Sequence, residues 1–278
     1  MGNKVIFMTG ATSGLGKVAA FKLVNEGAKL IAAYRTKEKA DRVLEEFNSL
    51  YPKSAGSFDF IECNLSSFKS VKAACDKIKE THNQIDQLLL NAGIWHFKPT
   101  KSLDGIEDTF QVNILMPHFI IDELLPLLEK SDDAKIIITS SGLHQGKINF
   151  KDIEFESNFK GMSAYRQSKL GVILLTRLLH TRIDNSIGIY CQHPGVVNTQ
   201  LGRHAGWLSR TIFKLIGTTA EKGARTLLFL SRTPKSELKS GEYYTKSKLT
   251  KTTPDSYDIN AANQLLEVSL EYRKKIIN

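Results

Sequence analysis

Hydrophobic positions along the chain fall into short apolar runs separated by longer stretches with helical periodicity. The apolar runs predict strands at residues 4–10, 28–35, 58–65, 85–93, 134–142, 187–195 and 241–245. The longer stretches predict helices at residues 17–27, 37–51, 67–82, 104–131, 163–183 and 220–231. Pro117 lies inside the longest of these and is a position where that helix can bend.

Regular alternation of strands and helices, with strands that are apolar almost throughout, is typical of a parallel sheet covered on both faces. Because such crossovers are right-handed, we expect an α/β fold: a single doubly wound parallel sheet of Rossmann type with helices on both faces. No linker or repeat divides the sequence, so one domain over residues 1–278 is the simplest organisation. An apolar stripe in residues 202–219 leaves two interpretations open, a helix packed on the domain or a substrate lid near residues 200–220.

Composition narrows the class of protein. Hydrophobic residues make up 41% and charged residues 24% of the 278 positions, as in an ordinary globular protein. The net charge is +9, but lysines and arginines mostly alternate with acids, which favours a basic surface over a nucleic-acid site. Attraction to an anionic ligand or to a membrane surface is the alternative.

The cysteines, histidines and apolar runs indicate what kind of environment the protein occupies. The three cysteines form no C-x-x-C pair and the seven histidines no H-x-x-x-H pair, so we expect neither a disulfide framework nor a metal site. No signal-peptide layout opens the sequence, and no apolar run approaches the ~18 residues of a spanning helix. We therefore expect a soluble cytoplasmic protein, with peripheral membrane contact left open.

The first strand runs into the sequence TGATSGLGK, where Gly10, Gly14 and Gly16 fall between a strand and a helix. Glycines without Cβ atoms allow a tight turn and the close approach of a diphosphate, and the N–H groups at a helix start favour phosphate. A glycine triplet placed between the first strand and the first helix of an alternating pattern predicts a dinucleotide site.

The second strand ends at Tyr34 and Arg35, where a site for NAD usually has an acidic residue. Positions 34–36 contain no acid, and a guanidinium matches the oxygens of a 2′-phosphate. The sequence thus favours NADP(H) over NAD(H), with Lys17 near the glycine loop as an added positive charge.

The residues that follow the later strands are candidates for the chemistry, because ligands of doubly wound folds bind beyond the carboxyl ends of the strands. Ser140 and Ser141 follow the fifth strand, and the next helix contains SAYRQSKLG, with Tyr165 and Lys169 four residues apart. On a helix this step brings two side chains within about 5–6 Å. Tyr244 and Lys248 repeat the spacing, but we expect them in an extended segment, where the same step covers about 13 Å.

Taken together, these residues resemble the short-chain dehydrogenase/reductase family, and most of all its group of retinol dehydrogenases and WW-domain oxidoreductases. The motifs that carry the resemblance are TGATSGLG (9–16), NAG (91–93), VN (112–113), SS (140–141), YRQSK (165–169) and PGVVNT (194–199). The long interval between Ser141 and Tyr165, the sequence PGVVNTQLGRH and the sequence SGEYYTKSK point to the group.

The resemblance implies an NADP(H)-dependent oxidoreductase that interconverts a carbonyl, preferably a lipophilic aldehyde or ketone, and an alcohol by hydride transfer. It implies four catalytic residues. Asn113 would position a water in a proton relay, and Ser141 would bind and polarise the substrate oxygen. Tyr165 would exchange the proton with that oxygen, and Lys169 would bind the nicotinamide ribose and lower the pKa of the tyrosine.

The resemblance also implies a set of cofactor contacts. Besides Tyr165 and Lys169 these are Gly10, Thr12, Ser13, Gly14, Leu15, Gly16, Arg35, Asn64, Leu65, Asn91, Ala92, Gly93, Pro194, Gly195, Val197 and Thr199. Asn64 stands where the family usually has an acid that contacts adenine, so we expect an altered adenine contact there.

Two further readings remain beside the enzyme. One is a catalytically silent NADP(H)-binding regulatory or scaffold protein of the same fold, which the presence of both Tyr165 and Lys169 disfavours. The other is an epimerase or dehydratase of the extended relatives, which the glycine spacing disfavours. The resemblance is also compatible with a homo-oligomer.

Overall fold

Strands and helices alternate along the chain in the computed structural model, which describes residues 1–195 and 219–277. The strands are β1 (Val5–Thr9), β2 (Lys29–Tyr34), β3 (Ser57–Glu62), β4 (Gln87–Leu90), β5 (Lys135–Thr139), β6 (Gly188–His193), β7 (Tyr243–Thr245) and β8 (Lys248–Leu249). The helices are α1 (Gly14–Asn25), α2 (Lys37–Leu50), α3 (Phe68–Thr81), α4 (Asp108–Phe110), α5 (Met116–Leu128), α6 (Gly161–His180), α7 (Ala220–Arg232) and α8 (Ile259–Ile277).

The strands form one sheet in the order β3-β2-β1-β4-β5-β6-β7-β8. Strands β1 to β7 pair in parallel, and β8 pairs with β7 antiparallel. The expected doubly wound fold is confirmed, with this antiparallel edge as an addition to it. The chain moves outward from β1 to β3 and then returns to β4 beside β1, so the strand order reverses there. A crevice at such a reversal is where ligands bind in doubly wound folds.

Each face of the sheet is covered by its own apolar cluster. One cluster joins the sheet to α3, α5, α6 and α8 through side chains such as Val71, Phe119 and Leu265. The other joins it to α1, α2 and α7, with Phe47 and Leu227 as examples. Both faces of the strands are therefore buried, which explains why the strands read as continuous apolar runs.

The strands end earlier than the apolar pattern predicts. β4 ends at Leu90, so Asn91, Ala92 and Gly93 form the loop beyond it, and β3 ends at Glu62 before Asn64. The side chains beyond these strand ends belong to loops at the crevice. The hydropathy pattern does not distinguish these loop residues from strand residues. In contrast, α1 begins at Gly14, earlier than the predicted residue 17, so the helix starts within the glycine sequence.

The helix predicted over residues 104–131 is divided in the structure. A π-helical turn, Gln111–Leu115, separates α4 from α5. Pro117 has no N–H to donate to the carbonyl of Asn113, which an α-helix would require, and this accounts for the irregular turn just before it.

The expectation of an extended segment from Tyr244 to Lys248 is wrong. Lys246 and Ser247 both have positive φ angles, 51° and 60°, and turn the chain back so that Thr245 pairs with Lys248. The two side chains are nevertheless no acid–base pair, since the Tyr244 hydroxyl contacts the backbone of Lys239 and Lys248 is exposed.

Candidate active site

In the glycine loop between β1 and α1, the backbone at Gly16 packs closely against the backbone at Gly10. Gly10 and Gly14 have positive φ angles of 71° and 54°, which other residues rarely adopt. A Cβ at Gly16 would lie 2.0 Å from the Gly10 carbonyl oxygen and 2.6 Å from Asn91 Nδ2. The loop thus forms a tight cradle beside β4 that a larger residue at these positions would fill.

The start of α1 offers N–H groups to an anion. Ser13 is the N-cap residue in extended conformation, its side chain makes no capping hydrogen bond, and the first turn contains no acid. The first N–H groups of a helix lack partners within the helix and carry partial positive charge. Thr12, Ser13 and Leu15 therefore surround a position suited to a diphosphate, as the sequence predicts.

An open groove of about 190 Å³ lies between this helix start and α2, lined by Thr12, Ser13, Lys17, Lys39, Arg42, Val43 and Glu46. Lys17 Nζ is 2.6 Å from Glu46 Oε1, so its charge is already paired within the protein. The sequence analysis does not predict Lys39 and Arg42 as cofactor contacts. Both lie on α2, four and seven residues after Arg35. Arg35 itself is exposed in the bend between β2 and α2.

Asn91 joins the ends of three strands. Its Nδ2 lies 3.5 Å from the Gly10 carbonyl, and its Oδ1 accepts a hydrogen bond from Thr139 Oγ1 at 3.3 Å. The Ala92 N–H donates to Thr9 Oγ1. These contacts hold the wall of the crevice, and a Cβ at Gly93 would lie only 3.0 Å from Lys169 Nζ.

The serine, tyrosine and lysine predicted to be catalytic lie together at the end of β5 and on α6. The Ser141 hydroxyl lies near enough to the phenol of Tyr165 to affect its pKa, and the Tyr165 side chain is buried. Lys169 Nζ lies 5.5 Å from the centre of the Tyr165 ring and donates to the Thr139 carbonyl at 3.1 Å. Ser140, the other serine, instead donates to the Lys169 carbonyl and fixes the helix.

Burial dominates the electrostatics of this group. It raises the pKa of Tyr165, while the nearby Ser141 hydroxyl lowers it by a smaller amount. It lowers the pKa of Lys169 to about 8. The expectation that Lys169 lowers the pKa of Tyr165 stays a prediction, since burial sets the direction of the shift in the protein alone.

Asn113 lies in the π-helical turn and is fully enclosed. Its Oδ1 accepts from the Ile94 N–H at 2.9 Å, and its Nδ2 donates to the Ile94 carbonyl and to Ser168 Oγ, both at 2.9 Å. The side chain thus fastens the loop after β4 to α6. The water-positioning role given to Asn113 stays a prediction.

Two residues that the sequence analysis does not predict hold the backbone of Ser141 by hydrogen bonds to its carbonyl. The Ser141 carbonyl accepts hydrogen bonds from the Tyr243 hydroxyl at 3.1 Å and from His144 Nδ1 at 2.8 Å. His144 Nε2 in turn lies 3.4 Å from the N–H of Thr253, which fixes Nδ1 as the protonated nitrogen. The one available signal was the position of His144, three residues after the serine pair.

The remaining predicted contacts are placed less directly. Asn64 Oδ1 accepts from the Ser66 N–H at 3.1 Å, and the Leu65 side chain packs against the core. Pro194 and Gly195 follow β6, and Gly195 has a φ angle of 87°. Val197, Thr199 and the expected lid near residues 200–220 lie outside the described residues, apart from the start of α7.

The part of the chain that the structure describes contains neither a group of metal-ligating side chains nor a membrane-spanning helix. Among residues 1–195 and 219–277, no three histidine, cysteine or acidic side chains are grouped as metal ligands would be. None of the helices in the same ranges combines the length and the apolar character needed to cross a membrane.

Comparison with known proteins identifies the family. The family model described as short chain dehydrogenase matches residues 4–206. Retinol dehydrogenase 14 of Mus musculus is 33% identical over 285 residues, which cover 97% of this chain and 85% of the relative.

Two solved structures share the fold. The crystal structure of an uncharacterized protein from Mycobacterium paratuberculosis is 25% identical, with a TM-score of 0.79 over 98% of this chain and 94% of the other. An alcohol dehydrogenase of the archaeon Thermococcus sibiricus, solved with 5-hydroxy-NADP, is 20% identical, with a TM-score of 0.65 over 84% and 92%. The chain belongs to the short-chain dehydrogenase family of oxidoreductases, and within it resembles the retinol dehydrogenases.

Proposed function

We propose that the protein is an NADP(H)-dependent oxidoreductase that interconverts an aldehyde or ketone and an alcohol, with Tyr165 as the general acid and base. The observation that carries the proposal is that the ammonium of Lys169 lies one helical turn from the buried phenol of Tyr165, 5.5 Å from the ring centre, with Ser141 beside them at the carboxyl edge of the sheet. A bound nicotinamide would supply the hydride chemistry.

The chain's own residues supply the proton and its position. Because burial raises the pKa of Tyr165, the phenol is protonated at neutral pH and can donate to the oxygen of a carbonyl being reduced. The Ser141 hydroxyl, held by its own backbone contacts, can donate a second hydrogen bond to that oxygen. Lys169, with a pKa of about 8, is mostly charged at neutral pH and stabilises the phenolate that remains.

The preference for NADP(H) rests on the charges around the glycine loop. Lys39 and Arg42 line the groove, Arg35 is exposed in the bend just before α2, and Lys17 is paired with Glu46. The 2′-phosphate of NADP(H) would bring negative charge to these cations, whereas the 2′-hydroxyl of NAD(H) would not neutralise them.

A lipophilic substrate is supported by the apolar side chains beside the catalytic group. Leu143 and Met162 are 38% and 46% exposed, and they lie two residues after Ser141 and three residues before Tyr165. Retinol dehydrogenase 14 is named for a lipophilic alcohol. Turnover should therefore rise from short polar carbonyls to long apolar ones, and the reverse order would contradict this preference.

The deciding experiment compares wild type with Tyr165→Phe in steady-state turnover of a carbonyl panel with NADPH. We expect the variant to bind NADPH normally and to lose roughly 10²–10⁴-fold in kcat, as for removal of a general acid. Undiminished turnover would refute the role of Tyr165. In parallel, Arg35→Asp should weaken binding of NADPH far more than binding of NADH, and equal weakening would refute the 2′-phosphate contact.

A further inference from the structure

Among the described residues, three aromatic rings are stacked at the candidate active site. The ring centres of Trp95 and Tyr165 lie 4.6 Å apart with an angle of 13° between the planes. Trp95 also stacks with Phe97, with ring centres 4.8 Å apart and an angle of 23°. Trp95 and Tyr165 are 6% and 7% exposed, so the stacked faces of the indole and the phenol are shielded from water.

The loop that carries Trp95 is fixed on both sides of the indole. Asn113 holds Ile94 by its N–H and its carbonyl, each at 2.9 Å. His96 Nε2 lies 2.8 Å from Asp108 Oδ2. The first residue of α6, Gly161, lies so close that a Cβ there would be 2.2 Å from the His96 carbonyl oxygen. The indole is therefore held by the backbone around it, since both neighbours are tied down.

The same contacts fix the helix that carries the phenol. Asn113 Nδ2 donates to Ser168 Oγ at 2.9 Å, and Ser168 Oγ donates to the Tyr165 carbonyl at 2.8 Å. One amide thus joins the residue before Trp95 to the turn of α6 that begins at Tyr165. The two rings can shift against each other only if this amide changes its partners.

We propose that Trp95 is a positioning residue for the reaction, which acts by setting the plane of the Tyr165 ring and by keeping water from its face. A tyrosine ring turns about two side-chain torsions, and a stacked neighbour restricts the second of them. With the ring held, the hydroxyl stays on the side of Ser141, where the proposed function requires the substrate oxygen. The proposal rests on the proposed function, because it assigns Trp95 a role through Tyr165.

The test compares Trp95→Phe, Trp95→Leu and Trp95→Ala with wild type. Trp95→Phe keeps a flat ring against Tyr165 and should retain most of the turnover. Trp95→Leu and Trp95→Ala should lower kcat by on the order of 10–100-fold, as expected for a misplaced catalytic group, with a smaller change in KM. Affinity for NADPH should change little in all three. Phe97→Leu removes only the outer ring and should cause a smaller loss than Trp95→Leu.

The pH profile provides a readout that a purely structural role would not move. Water reaching the phenol relieves its desolvation, so the ionisation assigned to Tyr165 should move to lower pH in Trp95→Leu but not in Trp95→Phe. The same shift can be followed without turnover, by tyrosinate absorbance of the NADPH complex of Trp95→Leu against that of Trp95→Leu with Tyr165→Phe. This second measurement decides the matter if Trp95→Ala does not fold.

The proposal is overturned if Trp95→Leu folds, binds NADPH, and shows the kcat and the pH midpoint of Trp95→Phe. That outcome would leave the proposed function intact, provided that Tyr165→Phe is inactive. Full activity of Tyr165→Phe would instead remove the proposed function itself, and the two failures are therefore distinguishable.

Discussion

At the scale of single residues, neighbouring tyrosines on one short strand have different surroundings. Tyr243 and Tyr244 are both buried, at 2% and 4% exposure, on opposite faces of β7. The Tyr243 hydroxyl donates to the Ser141 carbonyl, whereas the Tyr244 hydroxyl contacts Lys239. Only the first of them is connected to the catalytic group.

This difference gives a matched pair of variants. Tyr243→Phe and Tyr244→Phe each remove one buried hydroxyl, and each should cost about 0.5–1.5 kcal/mol in the free energy of unfolding. Tyr243→Phe should in addition lower kcat several-fold, because the Ser141 loop loses one of its two side-chain donors. Denaturant unfolding and steady-state kinetics on both variants test this. Equal kcat values would show that the hydrogen bond does not serve Ser141.

Sequence reasoning predicts the side chains that are proposed to be catalytic but not the residues that support them. Ser141, Tyr165 and Lys169 could be predicted because strand ends converge and a helical step of four brings side chains together. Trp95 and Tyr243 could not, because their roles depend on which surfaces meet after folding. An aromatic residue in a loop or on an edge strand has the same pattern whether it packs on a catalytic ring or on ordinary core.

At the scale of elements, α6 depends on its first residue. A Cβ at Gly161 would meet backbone atoms, 2.2 Å from the His96 carbonyl oxygen and 2.9 Å from the Phe97 Cα, which cannot rotate away. Gly171 on the same helix meets side-chain ends instead, Ile114 Cδ1 at 2.7 Å and Leu265 Cδ2 at 3.1 Å. The same substitution should thus have unequal effects at the two positions.

We expect Gly161→Ala to destabilise the protein by about 1–3 kcal/mol through overpacking and to reduce turnover, because the loop after β4 and the start of α6 must move apart. Gly171→Ala should cost less, since side chains can adjust and alanine favours a helix by about 1 kcal/mol over glycine. Thermal unfolding midpoints and kcat of the two variants provide the comparison. A smaller loss at Gly161 than at Gly171 would contradict the contact described here.

Element boundaries show where hydropathy stops being informative. The hydrophobic pattern predicts β1 to β7 in the correct number and order along the chain. It extends several of these strands too far at the end that faces the crevice. Residues there, such as Asn91 and Asn64, make hydrogen bonds in the loops at the crevice. Their apolar neighbours continue the hydrophobic pattern, so the pattern does not mark the end of the strand. The helix α8 was not predicted, since its buried positions, among them Ala262 and Leu265, form one narrow stripe in a basic segment.

At the scale of the whole molecule, the carboxyl edge of the sheet carries a half-buried histidine that links stability to pH. His193 ends β6, and burial, with His144 and Lys169 nearby, lowers its pKa from 6.5 to about 4. The folded protein therefore keeps this ring neutral where the unfolded chain would bind a proton. Stability from this source is complete above pH 6.5 and is lost as the pH falls towards 4.

The loss attributable to His193 should reach at most about 3 kcal/mol at the acid end. We expect the unfolding midpoint of wild type to fall more steeply between pH 7 and pH 4.5 than that of His193→Phe, which keeps a ring against Gly142 but cannot titrate. Parallel curves for the two proteins would show that His193 does not set this dependence.

The position of Trp95 also makes the site optically accessible. The chain has only two tryptophans, Trp95 and Trp207, and the latter lies outside the described residues. In a Trp207→Phe variant, all indole emission would come from Trp95, whose ring is in contact with Tyr165. Reduced nicotinamide absorbs where indole emits, so energy transfer from this one fluorophore could report cofactor arrival in real time, even for a substrate whose turnover leaves no colour.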